Sequence, residues 1–151
     1  MTYQWKSGSR FGVEAQIAGE MCEALAASDN LTAKALLDAN RPEDAPLHGE
    51  FEWDDGTAAE LYREDQARKI IRCLCTTAEN TEEPVRAYYN LVREEPQYRS
   101  IETILRAPDE TEMLLRTALN ELTAIQRKYG QLQRLAGVFA AIDQVKMDLP
   151  A

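Results

Sequence analysis

The sequence predicts a mainly α-helical protein with one small β-hairpin, an α+β class of about five helices ending in a C-terminal antiparallel helix pair. Three observations carry this. Apolar residues recur at three- and four-residue spacing through most of the chain. Helix-start signals stand at Thr32, at Asp54 or Asp55, and at Asp109. A single segment, Val85–Arg93, is rich in aromatic and β-branched residues and reads as strand.

The first ten residues, with Gly8 between two serines, read as an arm in which Tyr3 and Trp5 alternate as a short extended piece. From Phe11 to Ala27, the residues Val13, Ile17, Met21, Ala24 and Leu25 form one helical face, which Asp29-Asn30 ends. Thr32 then caps a short helix, with Leu31 and Leu36 as its hydrophobic staple. Pro42 biases Arg41 away from helical geometry and closes that helix. Pro42–Trp53 is an acidic loop whose Leu47, Phe51 and Trp53 argue that it is packed down.

A helix capped by Asp54 or Asp55 is expected to run to about Leu74, with Ala59, Tyr62, Gln66, Ala67, Ile70, Cys73 and Leu74 inward. After the polar stretch Thr76–Pro84 comes the strand, then a turn at Glu94–Gln97 and a return at Tyr98–Ser100. Ile101, Ile104 and Leu105 suit one or two helical turns. Asp109 with Glu112 has capping-box spacing before a long helix with Leu115, Ala118, Leu119, Leu122, Ile125 and Tyr129 inward. Gly130 suits a left-handed C-cap, and Leu132, Leu135, Phe139, Ile142 and Val145 make the last helix. The expected organisation is an arm (1–10), a helical domain with the hairpin (11–106) and a helical hairpin (107–147) that serves as core or as an oligomer interface.

At 151 residues the chain is long enough to bury a core without disulfides or metal. No run approaches the length of a membrane span, and the start lacks the pattern of a secretory signal. Cys22, Cys73 and Cys75 are an odd set for disulfides, and with one histidine they are a poor supply for zinc. Neither a cofactor nor a metal is expected, and reduced thiols point to the cytoplasm. The net charge of −9 is concentrated between Leu31 and Glu60, which weakens long-range attraction to nucleic acid but leaves room for a local basic face.

Three candidate chemistries stand out. His48 with Glu50, Glu52, Asp54 and Asp55 suits a metal or acid–base site. The alternative is that the aspartates cap a helix while His48 bonds backbone to lock the loop. Arg63, Arg68, Lys69, Arg72, Arg86, Arg93 and Arg99 are candidates for one basic face. Their alternative is local pairing with Glu64, Asp65, Glu94 and Glu95. A helix-turn-helix reading of the two capped helices suffers from a connection far longer than the usual turn.

The block from Leu31 to Ile71 resembles a group of small phage and prophage proteins of bacteria. The matching positions are Leu31-Thr32, Pro46-Leu47-His48, Phe51, Trp53-Asp54-Asp55, Ala58-Ala59, Arg63, Gln66-Ala67-Arg68 and Ile70-Ile71. Arg86-Ala87-Tyr88 and Ser100-Ile101-Glu102 are similar too, so the likeness spans roughly residues 30–145, with Ala33 where a proline is usual. The resemblance implies an origin rather than a mechanism, and Thr32, Leu47, His48, Phe51, Trp53, Asp54 and Asp55 sort as its structural signature. The expectation is a non-enzymatic accessory protein acting through protein or nucleic-acid contacts, as a homo-oligomer, with Arg63, Arg68, Arg72 and Arg86 as contact residues. The rivals are an acidic inhibitor of a host protein, using the Glu43–Asp55 surface, and a small hydrolase centred on His48.

Overall fold

A computed structural model of the chain describes residues 1–55, 59–77, 82–92, 94 and 97–149. Among them are six α-helices and five short strands in two antiparallel sheets. The class is therefore mainly helical with a little β-structure, and the single expected hairpin is replaced by two sheets. The chain divides into two compact units, Met1–Thr103 and Ile104–Ala151. No described helix is long and apolar enough to cross a membrane.

The first unit begins with β1 (Tyr3–Trp5), α1 (Ala15–Ala27), α2 (Ala33–Ala39) and a 3₁₀ turn at His48–Glu50. It continues with α3 (Ala59–Cys73), β2 (Leu74–Thr76), β3 (Val85–Arg86), β4 (Tyr88–Tyr89) and β5 (Arg99–Ser100). The short extended piece expected in the arm, Tyr3–Trp5, is thus an edge strand. Tyr3 pairs with Thr76 and Trp5 with Leu74, so β2 lies in the centre of a three-stranded sheet and is buried along its length.

The expected Val85–Arg93 strand is broken at Ala87, and the hydrogen bonds show why. Ala87 donates its N–H to Leu74 of β2 at 3.0 Å and accepts from Ile101 at 2.8 Å. The chain thereby leaves the first sheet, where β3 pairs with β2, and enters the second, where Tyr88 pairs with Ser100. The return strand was expected; the change of sheet was not. The expected turn includes residues 95 and 96, which lie outside the described set.

Helix α1 starts at Ala15, four residues later than the apolar pattern suggests. Phe11 instead packs on Trp5 with ring centroids 4.2 Å apart, and the Trp5 indole donates to the Val13 carbonyl at 2.9 Å. The core face of α1 is made of Ala15, Ala18, Gly19 and Cys22 rather than of its larger apolar residues, and Ile17 is exposed. Small residues are needed because the Tyr3 ring lies directly on α1: a Cβ at Gly19 would meet it at 2.1 Å. The Tyr3 hydroxyl meets that of Tyr88 at 2.9 Å, joining the first strand to the second sheet.

Thr32 caps α2 as expected, its Oγ1 accepting from Ala35 N–H at 2.9 Å. Leu31, Leu36 and Leu37 are fully buried, and α2 packs on α3 through the core that Ala67, Ile70 and Ile71 complete. Tyr62 was expected on the inner stripe of α3 but is 55% exposed. It sits one position before Arg63, which takes the inward place.

In the second unit, α4 (Ile101–Arg106) crosses the boundary and is followed by α5 (Pro108–Tyr129), a 3₁₀ turn at Gln133–Leu135 and α6 (Ala136–Asp148). Pro108 occupies the first helical turn of α5, so Asp109 lies inside the helix and is not its cap. Gly130 is right-handed at φ −57°, not left-handed. The two helices meet through Leu119, Phe139 and Ile142. Leu115, Leu122, Ile125, Tyr129, Leu132 and Val145, all expected inward, remain exposed.

Candidate functional site

The acidic loop is held by a residue that the sequence did not single out. Asn40, fully buried at the end of α2, donates to the Leu36 carbonyl at 2.7 Å and accepts from Leu47 N–H at 3.0 Å. Its own carbonyl meets His48 Nδ1 at 3.0 Å. The His48 ring stacks on Trp53 at 4.5 Å and 6°, and the Trp53 indole donates to the His48 carbonyl at 2.8 Å. The Arg63 guanidinium sits 5.0 Å from the centre of the Trp53 ring and donates to the Glu52 carbonyl and, at 3.1 Å, to Asp55. Leu47 and Phe51 are buried beneath this arrangement.

His48, Trp53 and Arg63 thus form one bonded stack that locks the loop onto α3. The only nitrogen of His48 with a described partner faces a backbone carbonyl rather than a carboxylate, which is the loop-locking role. Among the described residues no group of three or more His, Cys, Asp or Glu side chains is arranged to hold a metal ion. Glu50 accepts from Gly12 N–H at 2.8 Å and Glu52 from Asp54 N–H at 3.0 Å, so part of the acidic surface is engaged within the chain. Asp54 and Asp55 stand just before residues 56–58, so their expected capping of α3 lies outside the described residues.

This changes the set of basic residues able to meet a partner. Arg63 is 5% exposed and belongs to the scaffold. Arg68 is tied to Glu64 at 2.9 Å and Asp65 at 2.5 Å, as local pairing predicts. Arg72 and Arg86 come together elsewhere. They line a cleft of about 540 Å³ with Lys6, Lys69, Cys73, Cys75 and Pro84, a wall whose described residues include four cations and no acid.

The fold builds this cleft from three stretches of the chain. Lys69 and Arg72 are three apart on α3 and share a face. Lys6 follows β1, its N–H bonding the Cys73 carbonyl at 2.9 Å. The β2–β3 register places Arg86 beside Cys75. Lys69 and Arg72 also border a second cleft of about 540 Å³, lined by Arg10, Phe11, Glu50, Tyr62, Asp65 and Gln66. Its two acids are occupied, Glu50 by Gly12 and Asp65 by Arg68. Lys69 and Arg72 are thus the common border of the two clefts, which together make up the basic groove.

Lys6, Lys69 and Arg72 make no ion pair among the described residues; Lys69 only approaches the Phe11 ring, at 5.8 Å. Arg86 is held in place by its donation to the Tyr88 carbonyl at 2.8 Å and by the Tyr89 ring at 5.0 Å. Cys22, Cys73 and Cys75 are all free thiols. Burial pushes the Cys75 thiol up in pKa, against the pull of Lys6 and Arg86, which favours its neutral form. Four cations on one wall suit an anion. Lys6 and Arg10 escaped the sequence reading because strand pairing alone brings the first residues to α3.

No protein-family model matches the chain, and neither a curated protein nor a solved structure is detectably similar to it.

Proposed function

We propose that this chain is a non-enzymatic accessory protein, of the phage or prophage kind that its Leu31–Ile71 block resembles, and that it works by binding duplex nucleic acid along the basic groove. The observation that carries this reading is the gathering of Lys6, Lys69, Arg72 and Arg86 on one wall of a chain whose net charge is −9. Cations concentrated against an unfavourable overall charge are what phosphate contacts require at short range. Arg10 extends the track, and the exposed Tyr62 ring beside it offers a sugar or base edge an apolar contact.

The test is fluorescence anisotropy on a labelled duplex over a series of salt concentrations. Four phosphate contacts give a plot of log affinity against log salt with a slope of about −3.6. Arg72→Ala should flatten that slope by about one unit and weaken all sequences alike. Absence of binding at low salt would sink the proposal.

A further inference from the structure

We propose that Cys73 is a redox modification site that takes up an anionic small thiol as a mixed disulfide and thereby switches the basic groove off. The switch rests on the nucleic-acid reading; the modification itself does not. Of the three free thiols, only Cys73 is not buried. Cys22 lies in the core, and Cys75 is buried in β2 with its S–H donating to the Cys73 carbonyl at 4.0 Å. Burial favours the neutral form of both. Cys73 is half-buried at the end of α3 and lines the basic cleft. Two thiols and four cations meet there, three of the cations without an ion pair among the described residues. Partly exposed, electropositive surroundings of this kind are where cysteines exchange disulfides.

The positions of the cations select the reagent. Lys69 stands one helical turn before Cys73 and shares its face, and Arg72 precedes it directly. The Lys6 N–H bonds the Cys73 carbonyl at 2.9 Å, which brings a third cation alongside, and Arg86 lies across from Cys75 in the β2–β3 register. A disulfide bearing carboxylates, such as that of an acidic peptide thiol, is drawn to this wall, and a cationic one is repelled. The cleft, at about 540 Å³, falls within the size range of small-molecule sites, about 300–1,000 Å³. In the exchange the Cys73 thiol gives its proton to solvent and the thiolate attacks one sulfur of the disulfide. The new S–S bond forms as the old one breaks, and the other half leaves with the electron pair as a thiolate, which solvent protonates. Cys73 is oxidised and the leaving sulfur reduced, so the disulfide is the only oxidant needed. The bound half sets its carboxylates among the cations that phosphates would meet, and thiol reduction reverses the change.

The test is to incubate the reduced full chain with glutathione disulfide at neutral pH and follow it by intact mass and peptide mapping. One adduct should form, on Cys73, and Cys73→Ser should lack it. Cystamine, a cationic disulfide, should react at least about tenfold more slowly. Lys69→Ala and Arg72→Ala should narrow that preference, and unfolding in urea should abolish it, because only the fold gathers the cations. No adduct on Cys73, or equal rates with the two reagents, overturns the proposal. In the anisotropy assay the adduct should flatten the salt slope from about −3.6 to about −1.8, its two carboxylates cancelling two of four phosphate contacts. An adduct that binds duplex as well as the unmodified chain does overturns the switch. An unmodified chain that binds no duplex overturns the nucleic-acid reading and the switch with it, while the mass measurement still decides the modification site.

Discussion

Two buried residues show how much of this fold rests on single positions. Asn40 satisfies the turn after α2 and the Leu47 N–H at once, and no other described polar side chain reaches that amide. Asn40→Ala should cost about 2–3 kcal/mol in urea denaturation, because it strands a buried donor as well as losing bonds. Gly19 is constrained by contact rather than by backbone angle. Gly19→Ala drives a methyl group into the Tyr3 ring and should cost about 1–3 kcal/mol. Titration belongs to this scale too. Burial raises the Tyr3 phenol from 10.0 to about 12 and the Cys22 thiol from 9.0 to about 12. Both are neutral in the fold, so their contribution to stability is complete below pH 9.0. It is lost as the pH climbs through 10.0 toward 12, where the unfolded chain ionises first. A stability curve measured from neutral to alkaline pH should fall in that window, and Cys22→Ala should remove the part that begins near pH 9.0.

Helix α3 illustrates how one element serves two purposes on two faces. Its inner line holds Ala67, Ile70 and Ile71 against the core, with Arg63 at its start clasping the loop. Its outer line carries Tyr62, Lys69 and Arg72 toward the groove. Substitutions on the two faces should therefore separate. Arg63→Ala should lower stability by about 2 kcal/mol through loss of charge-assisted bonds and leave duplex affinity near wild type. Arg72→Ala should weaken the duplex and leave the denaturation midpoint unchanged. If Arg63→Ala weakened binding without unfolding the chain, the guanidinium would have a role beyond the scaffold. The same element scale explains the α1 start: Phe11 and Val13 fit a helical stripe by spacing but are used to hold Trp5 at the end of the first strand.

At the scale of the whole molecule, the acidic composition and the basic groove are not in conflict. Overall charge governs approach from a distance, whereas four cations on one wall act within a Debye length, about 10 Å at 0.1 M salt. Affinity should consequently fall steeply with salt, and the net charge of −9 should keep association slower than for a basic protein of equal size. The rival reading, a charge mimic on the acidic loop, has to share its surface with internal bonds at Glu50, Glu52 and Asp55. Neutralising Glu43 and Asp44, which carry no described partner, is the substitution that would separate it from the groove.

The sequence by itself determined the mainly helical class, the Thr32 cap and the packed loop, and offered the loop-locking use of His48 as one of two alternatives. Each is encoded locally, in side-chain spacing and in caps that act over three or four residues. It also indicated the local pairing of Arg68. Only the tertiary structure decided the sheet order, the break at Ala87 and the small-residue face of α1, because these depend on contacts beyond local spacing: Tyr3 with Thr76, Ala87 with Leu74 and Ile101, and Tyr3 with Gly19. The groove belongs to the same category. Arg72 and Arg86 were legible as candidates, but Lys6 and Arg10 join them only because β1 pairs with β2 at the end of α3. Arg63 left the set for a matching reason: whether a guanidinium meets solvent or a Trp53 ring is settled by packing, which no local pattern records.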